Sequence, residues 1–180
     1  MASRRDPFPP PSGPAVLALV AGAALLADSQ RTHGVLAAVV DGFDLLVHEA
    51  GHPLFGLFGW RFLMFLGGTL AQLAVPAAAA AVFAARRQPA SFAVALVWLG
   101  LNLVNVGTYA GDGQARLLPL LAADADAHDW WNMLGMLGLR ARAPAIGGSI
   151  SALGWALQAG APGWALARWL AARLDAAGPG

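Results

Sequence analysis

His48, Glu49 and His52 stand at HExxH spacing within Val47-His48-Glu49-Ala50-Gly51-His52-Pro53. On a helix, residues four apart lie nearly one above the other. Both imidazoles can then grip one metal ion, while Glu49, about 100° round the barrel from His48, reaches toward a metal-held water. Hydrolytic zinc sites use this arrangement. The pattern is short and also arises by chance or in buried polar pairing. Here it sits in Gly34 to Gly59, an otherwise almost wholly hydrophobic segment, where an ionisable side chain is expensive and functional by default. With Asp41 at zero on the helical wheel, Asp44 falls at about −60°, His48 at about −20°, His52 at about +20° and Glu49 at about +80°. All five polar residues share one side. Asp44, one turn before His48, is placed to accept that ligand's free ring N–H, as carboxylates behind metal-bound histidines do. The competing reading puts Asp41 and Asp44 on a water-facing helix start.

Composition says what kind of scaffold must hold these groups. Of 180 residues, 58% are hydrophobic and 12% charged, and the mean hydropathy is +0.59. That leaves too little polar surface for an ordinary soluble domain. All eleven positive charges are Arg, the formal net charge is +1 and no basic block occurs, so no nucleic-acid partner is expected. Cysteine is absent. A transition metal would have to be held by His, Asp, Glu or water.

The pattern predicts an all-α, polytopic transmembrane bundle of about five spans. A single integral membrane domain over residues 14–172 lies between a flexible Pro-rich leader, 1–13, and a tail, 173–180. The first span, Pro14 to Ala27, has fourteen residues where roughly 20 are normally needed. A cleaved signal peptide behind Arg4 and Arg5 is the alternative reading. Gly34 to Gly59 is the motif helix. Phe62 to Ala85 carries Thr69, Gln72 and Pro76 at one-face spacing, suited either to the site or to interhelical hydrogen bonding and a kink. Ser91 to Ala110 carries a polar stripe of Asn102, Asn105 and Tyr109 that leads to Asp112, with Gly107 and Gly111 as a close-packing pair. Ala145 to Leu170 is the last span, which Gly160-Ala161-Pro162-Gly163 is expected to kink or divide. Residues Ala115 to Pro144 do not span; they hold Asp124, Asp126, His128, Asp129, Trp130 and Trp131, an acidic and aromatic set suited to an interface. Alternating spans bring the second half of the motif helix and the end of the Ser91 helix to one side of the bilayer, where Asp112, His128 and Asp129 also lie.

These residues resemble the site-2 protease family, the intramembrane zinc metalloproteases. His48-Glu49-x-x-His52 matches that family's HExxH in full, Asp112-Gly113 resembles its Asp-Gly pair, and Asn105 stands seven residues before Asp112. Thr108 occupies the position of the family's Pro, and the spacing from Asn to Asp is one residue shorter. The resemblance covers about Gly34 to Gln114. It implies His48, His52 and Asp112 as ligands of Zn²⁺ and Glu49 as general base. Three protein ligands leave one tetrahedral position for water, whose pKa the ion lowers toward about 7. Asn102 or Asn105 would hold an unwound substrate segment, or else bind neighbouring helices. His128 or Asp129 could replace Asp112 as third ligand, or form a loop hydrogen bond.

The expected activity is hydrolysis of a peptide bond in a membrane-embedded or juxtamembrane protein segment, in a multi-pass protein of a bacterial-type inner membrane with lipid as its surroundings. The alternative is a non-catalytic metal-binding bundle with a structural or partner-binding role. A haem protein is disfavoured because two His on one helix face cannot approach a haem from opposite sides. A transporter would need paired half-helices that the chain lacks.

Overall fold

The computed structural model describes residues 8–119 and 127–178. Among them are six α-helices and no strand: α1 (Gly13–Arg31), α2 (Val35–Gly56), α3 (Arg61–Ala85), α4 (Pro89–Gly111), α5 (Asp129–Met136) and α6 (Ala143–Ala176). The all-α expectation holds. Asp124 and Asp126 lie outside the described residues.

Helix boundaries follow local chemistry. Ser12 caps α1 by accepting from the Ala15 N–H at 3.4 Å, with Pro14 in the first turn, where a missing N–H costs nothing. This helix continues past the expected Ala27 to Arg31 and reaches 19 residues. Its polar end is used rather than solvated. Ser29 Oγ accepts the Ala37 N–H of α2 at 2.9 Å, and Gln30 Oε1 accepts from Gln158 of α6 at 2.9 Å. Arg87, at φ 57°, ends the turn after α3, and Pro89 opens α4. Helix α6 runs unbroken for 34 residues through Gly160-Ala161-Pro162-Gly163. The expected division does not occur there.

Helices α4 and α6 form the central pair and cross on glycines. A Cβ on Gly100 would lie 2.7 Å from the Gly154 carbonyl oxygen, and one on Gly107 2.6 Å from that of Gly147. As the α4 number rises the α6 number falls, so the helices run antiparallel with their backbones in contact, the packing that small residues permit. On one flank, α1 sets Val16 and Leu19 against Ala93 and Val97 of α4 and Ala161 and Ala165 of α6. On the other, α3 bridges α4 to α2, and Gly51 of α2 meets Gly67 of α3 backbone to backbone.

Among the described residues three helices, α1, α3 and α4, are long and apolar enough to cross a membrane, and Leu17, Leu46, Leu57 and Leu153 stand exposed on the outer surface. Such a surface suits lipid better than water. Helix α2 differs because it carries Asp41, Asp44 and Glu49. Helix α6 is diluted by Gly, Ser and Gln.

Candidate metal centre

His48 and His52 point from one face of α2 toward α3, their ring centroids 4.9 Å apart. His48 Nδ1 lies 3.1 Å from Gln72 Oε1, and His52 Nδ1 lies 2.9 Å from the Met64 carbonyl oxygen. A backbone carbonyl can only accept, so His52 carries its proton on Nδ1 and presents the Nε2 lone pair. The same partnering to the Gln72 oxygen sets His48 alike. Hydrogen bonds of this kind fix the tautomer and ring orientation of metal-binding histidines.

Gly68 makes room between the rings. A Cβ there would stand 2.6 Å from His48 Nε2 and 2.7 Å from His52 Nε2. Into the same space comes Asp129, the first residue of α5, whose Oδ2 lies 3.0 Å from His48 Nε2 and 3.4 Å from His52 Nε2. The three donor atoms all fall within 4.8 Å of one another. Two nitrogen lone pairs and a carboxylate oxygen converging on one point repel unless something positive sits among them. A divalent cation meets that need with no extra proton on either ring, and an N,N,O donor set suits a borderline metal.

Asp112, expected beside His48 and His52, is not in this group. Its carboxylate accepts the Leu117 N–H at 2.8 Å and the Leu118 N–H at 3.0 Å, and sits 3.3 Å from His128 Nε2. Partial burial works against ionisation of Asp112, but these donors hold its carboxyl below the usual carboxylate value. Of the two alternatives weighed with it, Asp129 joins the centre and His128 does not. His128 Nδ1 accepts the Trp131 N–H at 3.3 Å as the N-cap of α5, so its proton is on Nε2 and faces Asp112. Burial keeps the His128 ring below the ordinary imidazole pKa despite the pull of Asp112. Burial works against ionisation of the Asp129 carboxyl, and a proton on either ring Nε2 would hold it low in place of a cation.

The residues expected behind the site or against substrate are also redistributed. Asp44 makes no hydrogen bond to His48. It accepts from Trp98 Nε1 at 3.0 Å and from Asn102 Nδ2 at 2.9 Å, while Asn105 Nδ2 donates to Asp41 at 2.7 Å. Two carboxylates on an apolar helix are thereby paid in hydrogen bonds, and both Asn bind a neighbouring helix instead of facing a free groove. The partner behind His48 is Gln72, one of the one-face set on α3. Thr69 of that set is buried with no hydrogen bond to a described residue.

Glu49 is exposed on α2 and makes no hydrogen bond to a described residue, although its charge is felt by His52 and Tyr109. Two groups at the site escape sequence reasoning, the Met64 carbonyl and the gap at Gly68, and the phenol of Tyr109 enters it only as part of a polar stripe. That phenol accepts the Asp129 N–H at 3.0 Å and lies 3.4 Å from Asp129 Oδ2. Only the Gly67-Gly68 pair and the stripe ending in Tyr109 left a trace in the sequence. Comparison with known proteins finds no family model matching this chain, no matching curated protein and no matching solved structure, so the functional reading rests on the geometry of the centre itself.

Proposed function

We propose that this chain is a zinc-dependent intramembrane endopeptidase, similar in principle to the site-2 proteases, that hydrolyses a peptide bond in a membrane-embedded or juxtamembrane segment of another protein. In this reading α2 and α6 cross the bilayer along with α1, α3 and α4, making five spans of one integral membrane domain. The observation that carries it is the convergence of His48 Nε2, His52 Nε2 and Asp129 Oδ2 over Gly68, with both Nδ1 atoms tied to acceptors on α3.

His48, His52 and Asp129 would hold the ion, with Asp129 in the role expected of Asp112. Zn²⁺ bound by three protein ligands polarises a carbonyl and acidifies water. The chain supplies the rest. Glu49, exposed and without a hydrogen bond to a described residue, would take a proton from the attacking water and deliver it to the leaving amine nitrogen. Gln72 and the Met64 carbonyl keep the two rings from turning. Asp41 and Asp44 are occupied by Asn105, Asn102 and Trp98, which leaves Glu49 as the carboxylate of α2 with no hydrogen bond to a described residue.

The test is Glu49→Gln beside the wild type, purified in detergent and offered a panel of transmembrane segments. Wild type should bind one equivalent of zinc and cleave at least one segment. The variant should keep the zinc and lose at least about 10²-fold in rate, the scale of a general base. Undiminished cleavage by the variant sinks the mechanism. Stoichiometric zinc with no cleavage by wild type favours the non-catalytic metal-binding bundle.

A further inference from the structure

The metal donors come from two unlike places. His48 and His52 are built into the α2–α3 contact, whereas Asp129 opens α5, an eight-residue helix too short to hold its own conformation. Something must fix its first turn. Met133 and Leu134 bury the helix body, and Arg140 stacks 3.6 Å over the Trp131 ring while donating to the Trp131 carbonyl at 3.0 Å. These contacts dock α5 but do not aim Asp129.

The contacts that hold His128 and the Asp129 N–H run to the end of α4. Asp112 is pinned by the Leu117 and Leu118 N–H groups and receives His128 Nε2–H. His128, fully buried, stacks on Tyr109 with centroids 4.3 Å apart, and its Nδ1 caps α5 through the Trp131 N–H. Tyr109 takes the Asp129 N–H directly. Both the cap and the backbone of the third donor are therefore referred to α4, which is locked to α6 by its glycines.

We infer that Asp112, His128 and Tyr109 are positioning residues that set the Asp129 carboxylate against His48 and His52, so that the Asp112-Gly113 pair serves the centre without touching it. This rests on the metal-centre reading above. It also accounts for an Asp buttressed by two backbone donors at the place where a ligand was expected.

The experiment is Co²⁺ titration of the full chain in detergent, following the visible absorption that reports cobalt coordination. The variants are Asp129→Ala, His128→Asn, Asp112→Asn and the double variant His128→Asn/Asp129→Ala, with helix content checked by circular dichroism. Asn at 128 can still cap α5 but is too short to reach Asp112. Wild type should bind one Co²⁺. His128→Asn and Asp112→Asn should each bind it roughly 10–100-fold more weakly, the usual cost of losing a group behind a ligand. Their spectra should shift toward that of Asp129→Ala. In the Asp129→Ala background, His128→Asn should add nothing, because its effect passes through the missing carboxylate. Wild-type affinity and spectrum in both single variants overturn the inference, as does a His128→Asn loss that persists in full without Asp129. Failure of wild type to bind Co²⁺ overturns the metal centre, and the clamp with it.

Discussion

At the scale of single residues, the decisive feature is which nitrogen of each ring is engaged. HExxH spacing puts two imidazoles on one face, but a ring whose Nε2 carried the proton would be useless as an inward donor. Gln72 and the Met64 carbonyl place the first proton of each ring on Nδ1 and so leave Nε2 facing inward. Gly68 matters for the opposite reason, by contributing no atoms. Gly68→Ala should retain the helix content of wild type yet lose metal affinity by at least about tenfold, since one methyl occupies the space between the donors and displaces them from the geometry an ion requires. Metal content after dialysis, beside circular dichroism, checks this; undiminished stoichiometry would show that the gap is incidental.

Helices are positioned here by backbone contact rather than by large side chains. The antiparallel α4–α6 pair meets at Gly100 with Gly154 and at Gly107 with Gly147, and α2 meets α3 at Gly51 and Gly67. In a lipid setting, where apolar side chains gain little by leaving the solvent, such close approach is a main source of association. Gly147→Leu should therefore separate α4 from α6 and lower stability by about 1–3 kcal/mol or more, the scale of overpacking. Thermal melting in detergent reads this directly. Gly148→Leu, one residue along with nothing within 4 Å of its added Cβ, is the control and should melt like wild type. Polar contacts add register. Asp44 with Trp98 and Asn102, and Asp41 with Asn105, tie α2 to α4 at positions where an unpaired charge in a bilayer would cost about 2.5–3.5 kcal/mol.

Across the whole molecule, the candidate metal centre joins segments far apart in the chain: α2 with its backing from α3, and α5 held by the end of α4. An ion there would cross-link these parts in the folded state alone. It should stabilise by about 2.7 kcal/mol at a concentration 100 times its dissociation constant. Stripping metal from the purified protein with a chelator should lower the melting temperature, and adding zinc back should restore it. Neither treatment should move the melting temperature of His48→Ala. Equal chelator sensitivity in that variant would place the stabilising ion elsewhere.

Chain order and local periodicity were enough to read an all-helical, lipid-suited protein, the HExxH pair on one face of α2, and the apolar reach of α3 and α4, because those properties depend on neighbours within a few turns. Helix ends were less legible. The first span was expected to end at Ala27, yet Ser29 and Gln30 are helical because α2 and α6 supply partners for their side chains. The Gly160 to Gly163 stretch resembled a break, but packing of Ala161 and Ala165 against α1 and α4 carries the helix through. The choice among Asp112, His128 and Asp129 lay beyond the sequence altogether. Each has the chemistry to bind a metal and lies on the same side by span count. Only the tertiary structure settles that Asp112 is spent on Leu117, Leu118 and His128, that His128 spends its lone pair capping α5, and that the carboxylate left facing His48 and His52 belongs to Asp129.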